Sequence, residues 1–324
     1  MFITSAVFIS AALLAHAASA QQPSKVARVG YLTASHAMDD DALAAAFLRG
    51  MEDLGYVQGR NIVFEKRAAH GRLEQLPGLA AELVRANVDI IVAPPLPAAL
   101  AAVKATRTIP VVFMMVADPV GAGLAASLAQ PGGNATGLSN QSGDLAGKMI
   151  ELLTEAVPGA RRLAVLTRVG NSGHDTQWSN AVSAAARLKL TLQRFQVAGY
   201  DGVDSALREV SELRPDGLIL LSDPVFVSRR EHIARFVNAL RLPAIYGFAE
   251  FTDAGGLMSY GVNLGDQFRR AAYYVDRILK GASPGDLPIE QPSAFEFSIN
   301  LKTAASIGFA FPREVRLRAH RLVE

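Results

Sequence analysis

The sequence predicts an α/β protein of two successive halves, each a parallel sheet flanked by helices, and three observations carry that prediction. Short β-rich apolar runs alternate with segments whose apolar residues recur at helical spacing, the pattern of βαβ units. The alternation is interrupted by "AQPGGNATGLSNQSGD" (129–144), the richest Gly, Asn and Ser run in the chain, and then restarts. The chain has 324 residues, 50% of them apolar, enough for two cores at the usual ~150 residues per domain.

In the first half, "VARVGYL" reads as a strand. Leu43, Phe47, Met51 and Leu54 then recur at helical spacing, and Gly55 supplies the stop signal. "NIVFEKR" is a second strand, "LEQLPGLAAELVRANV" a second helix, "DIIVA" a third strand, "PAALAAVKAT" a short helix and "IPVVFMMV" a fourth strand. The Gly-rich run at 129–144 is expected to connect the halves. The second half repeats the rhythm with strands "RRLAVLT", "TLQRFQV", "GLILLSD" and "PAIYGF" between helices "SNAVSAAARLKL", "DSALREVSELRP" and "SRREHIARFVNALRL". After these come the strand "GGLMSYGVNL", the long amphipathic helix "LGDQFRRAAYYVDRILKG", an extended Pro-rich stretch and a short helix. A late strand and helix beyond two complete sheets imply that the chain returns to the first half and crosses again, and several crossings form a hinge.

The opening "MFITSAVFISAALLAHAASA" has no charged residue, an apolar centre and a small-x-small ending at Ala18-Ser19-Ala20. It reads as a secretory signal peptide cleaved after Ala20, although its first residues lack Lys or Arg. A retained anchor needs roughly 20 apolar residues, whereas this run is shorter and broken by His16 and Ser19. Export suits the absence of cysteine, because such a chain can neither form nor misform disulfides.

Charge excludes more than it suggests. A formal net charge of +2 with no basic block argues against nucleic acid as a partner. The six histidines show no metal-ligand spacing, so no metal and no cofactor are expected. "GNSGH" fails as a nucleophile elbow because His174 stands where a glycine is required. Gly121, Gly123 and Ala126 spell G-x-G-x-x-A, the mark of a dinucleotide site, but the motif follows the fourth strand. Ala117, Asp118, Pro119 and Val120 intervene before its first glycine, and Asp118 places a carboxylate where a pyrophosphate would approach.

A set of long motifs stands in order along the mature chain: "FLRGMEDLGYVQGRNIVFEKRAAHG", "LPGLAAELVRANVDIIVA", "PAALAAVKAT", "TIPVVFMMVADPVGAGLAASLAQPGGNATGLS", "KMIELLTEAVPGARRLAVL", "LPAIYGFAEFTDAGGLMSYGVNL" and "ILKGASPGDLPIEQPSAFEFSINLKTAASIGF". In these the chain resembles bacterial ABC-transporter substrate-binding proteins of the tryptophan/tyrosine-binding-like group. The resemblance implies a type I periplasmic-binding fold: two Rossmann-like lobes, a multi-crossing hinge, and a ligand closed between the lobes. It also implies ABC permease subunits as partners, a monomeric receptor and no enzymatic reaction. Lobe one is expected at 24–138 plus 261–285, and lobe two at 139–260 plus 286–324, after the signal peptide at 1–20.

Ligands of open parallel sheets bind beyond the carboxyl ends of the strands. That rule selects Thr33 and Ser35, Leu96 with Pro94 and Pro95, and Asp118 in the first lobe. In the second it selects Arg168 and Asn171, Asp223 with Ser222, Tyr246 with Phe248 and Glu250, and Tyr260. Asp118 and Asp223, each before a proline, fit helix capping as well as ligand contact. Tyr246 is placed in the cleft because its hydroxyl needs a partner. The acids suit an ammonium group, while Arg168, Ser35 and helix N-termini suit a carboxylate.

The family usually has Gly with Ser or Thr ahead of "PAALAA", where this chain has Ala93-Pro94-Pro95-Leu96-Pro97. Prolines have no amide hydrogen, so the loop loses donors and gains an apolar wall. The expected ligand is therefore an amino acid or, better, an aromatic or branched organic acid whose apolar part faces lobe one. Delivery to a sensor or chemoreceptor is the alternative within the same fold, and a nucleotide-dependent α/β enzyme is the alternative outside it.

Overall fold

The computed structural model describes residues 26–34, 38, 42–140 and 145–324; the expected signal peptide and Ser35 lie outside the described residues. The first lobe opens with β1 (Ala27–Thr33), α1 (Ala42–Asp53), β2 (Ile62–Ala68), α2 (Leu76–Arg85), β3 (Ile90–Val92), α3 (Leu96–Ala105) and β4 (Val111–Val116). β5 (Ala135–Ser139) follows and completes a five-stranded parallel sheet in the order β2-β1-β3-β4-β5. β5 lies inside the Gly-rich run expected to be only a connection, and all of its residues are buried. Turn-forming residues on both sides mask so short a strand, and Gly137 belongs to it for steric reasons. At Gly137 φ is +151°, and a Cβ there would stand 2.0 Å from the Phe113 carbonyl oxygen.

The second lobe contains α4 (Leu145–Ala156), β6 (Arg162–Arg168), α5 (Ser172–Leu188), β7 (Thr191–Val197), α6 (Val203–Leu213), β8 (Gly217–Leu220), α7 (Pro224–Ser228), α8 (Arg230–Ala239), β9 (Ala244–Phe248), α9 (Glu250–Asp253) and β10 (Met258–Val262). The chain then returns to the first lobe as α10 (Leu264–Leu279) and comes back as β11 (Glu296–Asn300), α11 (Leu301–Ile307), α12 (Arg313–Arg318) and β12 (Arg321–Val323). The second sheet has seven strands in the order β12-β11-β10-β9-β8-β6-β7, parallel except where β11 meets β10. Strands such as β4 and β8 are buried throughout, as continuous apolar runs covered on both faces should be.

α10 is capped by Asn263, whose side chain accepts from the Asp266 N–H at 3.1 Å, and it buries Phe268, Ala271, Ala272 and Val275. It packs closely on α1 because Gly50 has no side chain: a Cβ there would come within 2.6 Å of the Arg269 carbonyl oxygen. Full burial of an apolar side chain the size of Phe268 or Phe47 is worth roughly 1.5–3 kcal/mol, so this pair of helices ties the returning segment to lobe one.

Three segments cross between the lobes, at Ser139–Asn140, at Val262–Asn263 and after Glu290. Residues 287–290 still belong to the first sheet's edge: Ile289 N–H donates to Leu128 O at 2.8 Å and Glu290 N–H to Gly137 O at 3.1 Å. The third crossing thus falls a few residues beyond the boundary expected at 285. Gln267 of α10 binds the first crossing, its Nε2 donating to Ser139 O at 3.1 Å.

Candidate functional site

A cleft of about 300 Å³ lies between the carboxyl ends of the two sheets. Lobe one supplies an apolar wall made by Leu73 and by Pro95, Leu96, Pro97 and Leu100 around the start of α3. It also supplies Met115, Asp118 and Asn140. Met115 reaches the cleft through a β-bulge: the β4–β5 register shifts between Phe113 and Val116, and Met115 has a left-handed φ of 57°. A bulge re-aims a side chain and bends the strand, which here turns Met115 toward the cleft.

Lobe two supplies Arg168 at the end of β6 and Asn171 after it, Tyr200 after β7, and Ser222, Asp223 and Pro224 after β8. Asp223 organises this side. It is 2% exposed and caps α7 by accepting from the Val225 N–H at 2.9 Å. Its other oxygen accepts from Asn171 Nδ2 at 2.9 Å, and Arg168 Nε stands 3.4 Å from the first. Asn171 in turn caps α5, its Oδ1 accepting from Gly173 N–H at 3.1 Å. Both oxygens of Asp223 are thus engaged by protein groups, while the terminal guanidinium nitrogens of Arg168 have no protein partner among the described residues.

Beneath these loops sits His174, wholly buried. Arg168 N–H donates to its Nδ1 at 2.7 Å, so Nδ1 carries no proton and Nε2–H donates to Ser222 O at 3.1 Å. Burial, opposed by Asp223, lowers the His174 pKa and keeps the ring neutral. Burial likewise pushes the Tyr200 phenol above its usual pKa, so Tyr200 keeps its hydroxyl proton at neutral pH.

Leu96, Asp118, Arg168, Asn171 and Asp223, selected from the sequence, come together around this cleft. Asp118 also accepts from Gly121 N–H at 2.8 Å, so it closes a turn as well as facing the cavity. The other selected residues stand elsewhere. Thr33 is 2% exposed at the end of β1 and does not reach the cleft. Tyr246 is a correction: it is wholly buried on β9, its ring stacks on Phe251 at 4.4 Å in the core, and its hydroxyl is buried without a hydrogen-bond partner. Glu250 is also withdrawn, accepting from the Leu264 N–H at 2.8 Å at the start of α10. Tyr260 packs against Phe295 on the hinge side of the second sheet.

Met115, Asn140, Tyr200, Leu73 and His174 were missed by sequence reasoning. The strand-end rule finds Asn140 once "ATGLS" is read as a strand, and it finds Tyr200 just after β7; the bulge that presents Met115 leaves no mark in the sequence. The G-x-G-x-x-A glycines serve the turn after β4: a Cβ on Gly121 would lie 2.1 Å from Asp118 Oδ2, and Gly123 has a φ of +74°. A second groove, of about 520 Å³, lies where the three crossings meet, but its Arg270 and Glu290 are bound to each other through a bidentate pair at 2.6 and 2.9 Å. Among the described residues no group of three or more His, Asp or Glu side chains is placed to hold a metal ion, and no helix is long and apolar enough to cross a membrane.

Comparison with known proteins gives this geometry its context. The chain is 26% identical over 267 residues to a tyrosine-binding protein of Clostridioides difficile (strain R20291), covering 82% of this chain and 76% of that protein. A crystal structure of a conserved domain protein from Vibrio cholerae superposes with a TM-score of 0.83 at 29% identity, covering 92% of this chain and 100% of the other. An ABC domain from Streptococcus pneumonia in complex with L-Trp superposes with a TM-score of 0.81 at 24% identity, covering 92% and 99%. Residues 34–323, most of the chain, match the model of one family, and the chain belongs to it: the ABC transporter substrate binding proteins.

Proposed function

We propose that the cleft captures a small organic acid with an aromatic or branched body, amino acids included, for delivery to the permease of an ABC importer. The observation that carries this reading is the division of the cleft. The Pro95–Leu100 wall has few hydrogen-bond donors and suits an apolar body, and Arg168 on the facing lobe suits a carboxylate. Met115 adds a polarizable sulfur to the apolar side, a favourable neighbour for an aromatic ring. The name of the C. difficile relative, a tyrosine-binding protein, supports an aromatic ligand.

The proposed mechanism needs no reaction. A ligand that touches both lobes favours the closed arrangement, and the closed shape is what the permease reads. Proteins of this family act outside the cytoplasmic membrane. We further propose a periplasmic, monomeric receptor released by cleavage after Ala20, with its lobes joined at the three crossings described above.

The test is thermal unfolding of protein that has been unfolded and refolded to strip bound ligand, against aromatic amino acids, aromatic and branched organic acids, and nucleotides. A ligand at about a hundred times its Kd adds roughly 2.7 kcal/mol, a shift of a few degrees at this size. Stabilisation by an aromatic or branched acid is expected; stabilisation by a nucleotide alone would overturn the reading.

A further inference from the structure

Asn140 lines the cleft at the first crossing, immediately after β5. It is 8% exposed, and its Oδ1 is buried with no hydrogen-bond partner. Buried acceptors are nearly always paired, and an unpaired one is costly, so an orphan at the edge of a binding cleft calls for a donor from outside the protein.

The surroundings are fixed in advance. Asn140 N–H donates to Val116 O at 3.0 Å, Ser139 Oγ donates to Ala117 O at 3.2 Å, and Ser139 O accepts from Gln267 Nε2. Asp118, whose Oδ1 takes the Gly121 N–H, keeps Oδ2 at the cleft, but the other side-chain and carbonyl acceptors named on the cleft floor are engaged. Both oxygens of Asp223 are occupied, Asn171 Oδ1 takes the Gly173 N–H, and the Ser222 carbonyl takes His174. The wall around Leu96 and Leu100 offers a ring no side-chain acceptor, so the donor belongs at the ligand's polar end.

We propose that Asn140 is the specificity-determining acceptor of this cleft, taking a hydrogen bond from an N–H or O–H group next to the ligand carboxylate. The inference rests on the aromatic-acid reading and deepens it: the guest is a 2-amino or 2-hydroxy aromatic acid, and the matched acid without that donor is rejected.

The test is calorimetric titration of ligand-stripped protein with L-phenylalanine, L-phenyllactate and 3-phenylpropanoate, which share ring and carboxylate and differ at the 2-position. Wild type is expected to bind the better of the two donor-bearing acids at least about tenfold more tightly than 3-phenylpropanoate, the scale of one buried polar group left unpaired. In Asn140→Leu this gap closes to within about threefold while 3-phenylpropanoate binds as before; in Asn140→Asp, which keeps an acceptor, the gap to L-phenylalanine persists. Equal wild-type binding of all three acids overturns the role of Asn140 and leaves the aromatic-acid reading standing, and so does a gap that survives in Asn140→Leu. If Asn140→Leu does not fold, the wild-type series and Asn140→Asp decide. Binding of none of the three overturns the aromatic-acid reading and this inference with it.

Discussion

His174 Nδ1 accepts the backbone N–H of Arg168 at 2.7 Å, and this bond, with the one from Nε2 to Ser222, fixes the relative placement of the loops after β6 and β8. A neutral, buried imidazole thereby stands in for the backbone pairing that ends where the strands part. His174→Ala should cost about 2–4 kcal/mol by denaturant unfolding, since it leaves a cavity and orphans two backbone groups. Ligand affinity should fall with it, because Arg168 loses its support.

Two buried groups give stability a pH dependence of opposite sign. Burial raises the Glu250 pKa from 4.5 to about 7. The folded state holds that proton more tightly, so this contribution is complete below pH 4.5 and is lost as pH rises through 7. Glu250→Gln should flatten that slope, worth up to about 3 kcal/mol. His174 runs the other way: its folded pKa lies below 6.5, so its contribution is present above 6.5 and is lost as pH falls. Unfolding of both variants from pH 4 to 8 separates the two.

Asp223→Ala removes the α7 cap and the partner of both Asn171 and Arg168. A loss of about 2–4 kcal/mol is expected. Affinity for an anionic ligand should drop at least about tenfold, because the guanidinium is no longer held. Chemical denaturation and calorimetry report the two effects separately.

Leu96 is half-buried and serves the cleft wall more than the core. Leu96→Gln should change stability by less than about 1 kcal/mol while weakening an aromatic ligand roughly tenfold through lost apolar contact. An unchanged Kd would remove the wall from the account.

Gly121→Ala places a methyl group against Asp118 Oδ2 and must displace that carboxylate. The expected result is weaker ligand binding without any gain or loss of nucleotide affinity. Retention of the wild type on a nucleotide resin, abolished by this change, would restore the dinucleotide interpretation of the motif.

The pattern of alternating elements was legible because long apolar runs such as "VVFMMV" and amphipathic helices such as "LGDQFRRAAYYVDRILKG" advertise their period. β5 was hidden because its small residues, chosen for close passage beside Phe113, are also the residues of turns. At the site, the strand-end rule found Arg168, Asn171 and Asp223, since topology alone places strand ends at the cleft. It failed for Tyr246, which packs into the core from β9, and for Glu250, which opens the short helix α9 and accepts from the first N–H of α10. An orphan hydroxyl was taken to forbid the core, yet the Phe251 ring outweighs the unmet bond of Tyr246. Which buried acceptors are left unpaired, the fact that marks Asn140, is a property of three-dimensional pairing.

The three crossings share one groove at one side of the molecule. Parallel tethers gathered along a line allow the lobes to swing about that line and resist sliding or twisting of one past the other. On the proposed reading, closure about that line brings Arg168 toward the wall around Leu96. The angle at which such a jaw stops then adjusts to the girth of what it holds, while the chain's own path sets which loops of the two lobes face each other.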